Sequence, residues 1–165
     1  MTSEFMIALY GSFAQAESES ISKNVSWGKE KAYREGKVQF QYKYLLGYKK
    51  GADGNPEIVP EEAEIVRLIY TLFLDGYSMT RIKKILENKG YLTTQGKKVW
   101  NESLIRSILK NEKYVGDALL QKTFTSDCIT HKVVKNHGER PMYLVTDHHD
   151  PIIDRDTYNL SLIHI

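Results

Sequence analysis

Ser12-Phe13-Ala14-Gln15-Ala16-Glu17-Ser18-Glu19-Ser20-Ile21-Ser22-Lys23-Asn24-Val25-Ser26-Trp27-Gly28 is the stretch whose reading decides the architecture. Around it, Met6, Leu9/Tyr10, Phe13, Ala16/Glu17, Ser20/Ile21, Asn24/Val25 and Gly28 recur at spacings of three and four. That period predicts one helix whose apolar face stops at Val25. No proline precedes Pro56, and Gly36 is a suitable end, so some 30 helical residues reach ~45 Å. Such a helix is too long to pack wholly within a domain this small. Its chemistry also changes halfway, from apolar and acidic to basic at Lys23. One end is built to meet protein and the other an anion.

The 165 residues, 41% apolar, suffice for one modest core or two small ones. Net charge is only +2, but its distribution is uneven. Residues 1–22 carry −3, residues 23–50 carry +6, residues 51–80 carry −5, residues 81–122 carry +6 and residues 123–165 carry −2. Two basic blocks separated by an acidic one fit two patches on one polyanion, although any single block also reads as a solvated face. Cys128 is the only cysteine, which excludes an internal disulfide and cannot alone build a metal site. The apolar run at residues 5–10 is too short to span a membrane and lacks the basic flank of a signal peptide. A cytoplasmic protein with no membrane partner is expected.

Beyond the first helix, Phe40, Tyr42, Tyr44 and Leu46 alternate with polar neighbours, predicting a strand. A turn cluster at residues 51–56 and a short return strand at residues 57–59 follow. Three helices come next. The first runs from Pro60/Glu61 to Leu74 and buries Ile65, Ile69, Leu72 and Phe73. The second, capped by Ser78, buries Ile82, Ile85 and Leu86 and stops at Gly90. The third, capped by Asn101 with Glu102 in its first turn, buries Leu104, Ile105, Ile108 and Leu109. Residues 91–100 form a basic loop or small hairpin with Gly96-Lys97-Lys98 near its tip. Strands are expected at residues 114–121, 129–134 and 142–145. The class is α+β: a long N-terminal helix, a mixed domain containing a helix-turn-helix variant, and an incomplete strand-rich segment.

Phe13-Ala14-Gln15-Ala16-Glu17, then Ser20-Ile21-Ser22-x-Asn24-Val25-x-Trp27-Gly28, resembles the long dimerisation helix of the large serine recombinases. The following part resembles their recombinase domain, through Gly47-Tyr48, Pro60-Glu61-Glu62-Ala63 and Gly76-Tyr77-Ser78 with Ile82 and Ile85-Leu86. Gly90-Tyr91-x-Thr93, Gly96-Lys97, Trp100 and Ile105-x-x-Ile108-Leu109-x-Asn111-x-x-Tyr114-x-Gly116 continue it. Asp147-His148-His149-x-Pro151-Ile152-Ile153 is similar to the entry of their zinc-ribbon domain. No single motif is specific; the ordered set over residues 2–159 is. The resemblance implies divisions at 1–36 (the last helix of a resolvase-type catalytic domain), 37–113 (the recombinase DNA-binding domain) and 114–159 (the start of the zinc ribbon). Residues 160–165, Leu-Ser-Leu-Ile-His-Ile, read as the in-frame translation of a sequencing-library adapter. Met1 reads equally as an internal methionine.

What the resemblance implies functionally is site-specific DNA strand exchange, with double-stranded attachment-site DNA as partner. Self-association is expected through the first helix, as a dimer and, in the full enzyme, a tetramer. The family's nucleophilic serine and arginine cluster have no counterpart, so no catalytic residue is assigned and the fragment is expected to be inactive alone. Ser12, Ser18, Ser20 and Ser22 lie on the helix without a nearby arginine to activate them. Zinc is implied only for cysteine pairs beyond this chain; no cofactor or metal ligand is expected within it. Adjacent His148 and His149 point to opposite faces of a strand and seldom converge on one ion. DNA contacts are expected from Lys29, Lys31, Arg34 and Lys37 at the end of the first helix and start of the linker. Lys97, Lys98, Asn101, Ser103, Arg106 and Lys110 are expected to supply them around the third short helix, placed in the major groove. Arg106 is the best base-reading candidate, since its fork pairs a guanine. Tyr42, Tyr44 and Tyr48 either stack on nucleotides or face the core. A non-catalytic helix-turn-helix regulator is the alternative; a pure coiled-coil protein is weaker because the apolar seam ends at Val25.

Overall fold

A computed structural model describes residues 1–165 as two compact units, Met1–Val38 with Leu119–Leu144, and Gln39–Ala118 with Val145–Ile165. In the first unit, helix α1 runs Thr2–Arg34 and buries none of its residues. Phe5, Ile7, Tyr10 and Phe13 stay exposed on its N-terminal half, and Trp27 on its basic half. The helix ends in a Schellman turn: Lys37 N–H donates to Ala32 O and Gly36 N–H to Tyr33 O, with Gly36 at φ +70°. Gly36 is thus the left-handed residue just past the end. The rest of the unit is built on short strands, of which β4 (Thr123–Thr125) and β5 (Val133–Lys135) pair antiparallel, Phe124 facing Val134. Asn136 locks the return: its Nδ2 donates to Gln121 O and Arg140 O, and its Oδ1 accepts from Gly138 and Arg140 N–H.

The second unit opens with a 3-10 turn, Tyr42–Tyr44, where alternation predicted a strand. Residues 45–48 are buried one after another, so no two-faced strand satisfies them. Pairing begins later, between β1 (Tyr48–Lys50) and β2 (Pro56–Ile58), with Tyr48 opposite Ile58. The expected turn joins them, and Asp53 accepts from the Asn55 backbone and side-chain N–H groups. Three helices follow with the expected bounds to within two residues: α2 (Pro60–Leu74), α3 (Met79–Asn88) and α4 (Glu102–Leu109). Pro60 opens α2, Ser78 Oγ accepts from Arg81 N–H at α3, and Asn101 Oδ1 from Ser103 N–H at α4.

The core joins Ala63, Ile65, Val66, Ile69 and Tyr70 of α2 to Ile82 and Leu86 of α3, Ile105, Ile108 and Leu109 of α4, and Trp100. Leu72, Phe73, Ile85 and Leu104, expected in that core, are only half-buried at its margin. Two strand expectations give way, at residues 114–121 and 129–134. Glu112–Val115 is a 3-10 turn closed by Gly116 at φ +87°, and β3 is confined to Ala118–Leu120, paired with β6 (Tyr143–Val145). A strand expected from residue 129 starts at Val133, because Asp127 folds the preceding residues into a turn by accepting from Ile129 and Thr130 N–H.

Residues 145–165, which the sequence reading placed beyond residue 113, close the second core. Ile152 and Ile153 are buried and donate their N–H groups to Tyr114 O, both at 2.9 Å. Helix α5 (Arg155–His164) follows, capped by Asp154, whose Oδ1 accepts from Thr157 N–H. Only Ser161 of α5 is fully buried, so the helix has no apolar stripe by which sequence reading would find it. The helix continues through Asn159 to His164.

Candidate nucleic-acid interface

In the first unit, the candidate cations cluster at the C-terminal end of α1. Lys29, Lys31, Arg34 and Lys37 are all exposed. Lys29 is unpaired, and the Lys31 ammonium lies 5.7 Å from the Trp27 ring centroid. Arg34 sits 3.8 Å from Glu30. Lys37 pairs with Glu35 at 2.6 Å, a hydrogen bond that holds the Glu35 carboxyl below the usual carboxylate range. Two of the four cations therefore start with an acidic neighbour, and these exposed pairs are worth little and exchange readily. Ser12 donates to Ala8 O one turn back, an ordinary helical bond rather than the setting of an activated nucleophile.

In the second unit, α4 is divided lengthwise. Ile105, Ile108 and Leu109 are buried, whereas Glu102, Ser103, Arg106, Ser107 and the following Lys110 are exposed. Tyr70 secures the buried side by donating its hydroxyl to Ile108 O at 3.0 Å. The connection from α3 is fixed rather than slack. Trp100, 1% exposed, donates its backbone N–H to Glu87 at 2.8 Å and its indole N–H to Tyr91 O at 2.9 Å. Thr93 N–H donates to Lys97 O, and Gly96 N–H to Thr93 O, making a tight turn that leaves Lys97 and Lys98 in solvent. Lys97, Lys98, Arg106 and Lys110 enter no ion pair, while Lys49, Lys83 and Arg155 of the same unit each have an acid partner. Asn101 spends its carbonyl oxygen on the helix cap, leaving its amide NH2 as the group it offers outward.

Tyr48, His148 and His149, also singled out by the sequence, are held by contacts within the second unit. Tyr48 is 3% exposed and donates to Asp150 O at 2.8 Å, so it faces the core; Tyr44 is exposed and Tyr42 half-buried. His148 and His149 are not on a strand. Asp147 takes φ +50° and turns the chain, so the two rings lie 5.6 Å apart, both against Phe40. His149 Nε2 lies 2.6 Å from Lys113 O, a carbonyl, and so carries the proton; its Nδ1 is buried without a partner. Burial lowers the His149 pKa from its ordinary value. Asp117, nearly buried, takes two hydrogen bonds from Arg155 at 2.7 and 3.0 Å and one from Asp147 N–H, and the guanidinium lowers its pKa. No three His, Cys, Asp or Glu side chains converge. The residues present do not fit a zinc site.

A family model described as Recombinase matches residues 60–161. The chain belongs to the Recombinase family. That match takes in α2, α3, α4 and their closing segment, which is part of the stretch 2–159 whose ordered motifs resemble the large serine recombinases. A curated "Putative DNA recombinase" of Bacillus subtilis (strain 168) is 32% identical over 120 residues, covering 69% of this chain and 24% of that protein. This recombinase-family chain thus spans about a quarter of the length of the curated relative it matches. A solved chain described as "Crystal Structure of a LSR-DNA Complex" is similar at TM-score 0.58 and 22% identity, covering 86% of this chain and 37% of that one. At that identity the likeness is one of fold. Another, from "Sequence Requirements of the Listeria innocua prophage attP site", aligns at TM-score 0.47 and 23% identity over 73% of this chain and 41% of that one. No helix is long and apolar enough to cross a membrane.

Two residues that position the recombinase-family helix pair escaped the sequence reading. Glu87 holds Trp100 from 13 residues away, and Thr80 bonds Glu102 from 22 residues away. Neither spacing leaves a local signal.

Proposed function

We propose that this chain acts in site-specific DNA recombination as a DNA-binding portion of a serine recombinase, gripping one half of an attachment site. The observation that carries the reading is the division of α4: one edge locked into the core, the other offering Ser103, Arg106 and Lys110 to solvent, with the unpaired Lys97 and Lys98 nearby in sequence. A helix mounted this way suits the major groove, with lysines neutralising phosphates and Arg106 reaching a base edge. Lys29, Lys31, Arg34 and Lys37 supply further phosphate contacts from α1 and its linker. In this reading residues 1–36 end a resolvase-type catalytic domain, residues 37–113 bind DNA and residues 114–159 lead toward a zinc ribbon. The exposed apolar residues of α1, among them Phe5, Ile7, Tyr10 and Phe13, support self-association. Strand cleavage belongs to a serine and arginines outside these 165 residues, so the chain alone binds without cutting.

The test is selection from a duplex library with a randomised centre, followed by affinity measured against salt. Each phosphate neutralised should lower log K by about 0.9 per unit of log salt. Absence of affinity for any duplex, or affinity indifferent to salt, overturns the reading. A covalent protein–DNA adduct on the selected duplex overturns the division of labour.

A further inference from the structure

The exposed edge of α4 carries one acid among its cations. Glu102 stands in the first turn, ahead of Ser103, Arg106 and Lys110. Its carboxylate is tethered: Thr80 Oγ1, in the first turn of α3, donates to Glu102 Oε1 at 2.7 Å. The other oxygen, Oε2, accepts no hydrogen bond from the protein. A surface made only to hold phosphates gains nothing from a carboxylate, which repels them. The helix dipole favours an acid in this turn, yet it makes no demand for a tether from another helix. Holding an exposed glutamate in one rotamer costs side-chain entropy, and the result is a pure acceptor fixed on the edge read as groove-facing.

In the major groove the donors available to such an acceptor are the cytosine N4 and adenine N6 amino groups. Adenine sets its N7 acceptor beside the amino group, which repels a carboxylate; the cytosine edge has no such neighbour. We propose that Glu102, positioned by Thr80, selects cytosine at one base pair of the bound site by accepting from its N4 amino group. The proposal rests on the DNA-binding reading above and adds to it the identity of one base and the residue that chooses it.

The experiment selects preferred duplexes from the same randomised library with the wild-type chain, E102Q and T80V, the fold of each variant checked by circular dichroism. Wild type should prefer cytosine at one position by about tenfold, the discrimination typical of one base pair. E102Q keeps an acceptor for Thr80 and gains an amide donor, so preference at that position should move to adenine. T80V frees the carboxylate and should flatten preference at that position alone. Unchanged preferences in both variants overturn the proposal. So does a uniform rise in E102Q affinity across the library, which would make the carboxylate a mere repellent of phosphate. Failure of the wild-type chain to bind any duplex is a separate result that removes the DNA-binding reading itself and this inference with it.

Discussion

Glu87 accepts a hydrogen bond from the Trp100 backbone N–H at 2.8 Å, so the last turns of α3 fix the residue from which α4 departs. The bond spans a 13-residue connection that contains no strand or helix. With the indole of Trp100 buried and bonded to Tyr91 O, it turns a flexible basic loop into a rigid spacer. The orientation of α4 relative to α3 depends on this side chain as much as on apolar packing.

Glu87→Ala should therefore destabilise the chain by about 1–3 kcal/mol, because a half-buried backbone N–H loses a charged acceptor. Urea unfolding checks the size. Hydrogen exchange at Trp100 should accelerate more than exchange at Ile69, since the opening is local to the connection.

Arg106→Ala and Lys97→Ala should separate in their effects on duplex binding. Losing a phosphate contact at Lys97 weakens all sequences alike and reduces the salt slope by about 0.9. Losing a base contact at Arg106 relaxes preference at one or two positions by about 1–3 kcal/mol. Equal behaviour of the two variants in salt titrations of selected and scrambled duplexes would refute the assignment of Arg106 to a base.

His149 makes stability depend on pH. Its imidazole is packed against Phe40 and Tyr48, with Nδ1 unpartnered, so folding disfavours the charged form and its pKa falls below the ordinary 6.5. Below about pH 6.5 the unfolded chain binds the proton first, and unfolding is favoured. This contribution is complete above that pH and is lost as pH falls toward the depressed folded value. Asp117 titrates in the same sense at lower pH, its carboxylate being stabilised by Arg155. Urea midpoints measured across pH 5–7 should decline toward the acid side, and His149→Phe should remove most of the slope in that window.

Alanine at Gly47 is strained. It takes φ +91°, and a Cβ there would lie 2.6 Å from Ile152 Cδ1, while its N–H donates to Glu62. The left-handed conformation alone costs an L residue about 1–2 kcal/mol, and the overlap adds to it. Gly47→Ala should lower the melting temperature clearly more than Gly54→Ala, whose Cβ meets open space at a similar positive φ.

The recombinase-family helices were legible in the sequence because their information is local. Pro60 with Glu61, Ser78 and Asn101 mark helix starts through their own backbone chemistry, and Gly36, Gly76 and Gly90 mark ends through positive φ. The buried sets of α3 and α4 were legible through a period of 3.6, down to Ile82, Leu86, Ile105, Ile108 and Leu109. So were the exposed cations on the far side of α4. Alternation misled at residues 40–46, where the chain makes a 3-10 turn at Tyr42–Tyr44 and only Leu46 of the alternating residues joins the continuous buried run at 45–48.

What only the tertiary structure decided are the partnerships between residues distant in the chain. Thr80 with Glu102, Tyr48 with Asp150, Asp117 with Arg155 and Ser161 with Leu109 follow no period, because folding rather than helix geometry brings them together. Helix α5 belongs here too, since packing rather than an apolar stripe of its own places it in the second unit. Local backbone chemistry wrote the elements of this protein into its sequence; the burial of a shared core chose which polar groups meet and which are left to face a ligand.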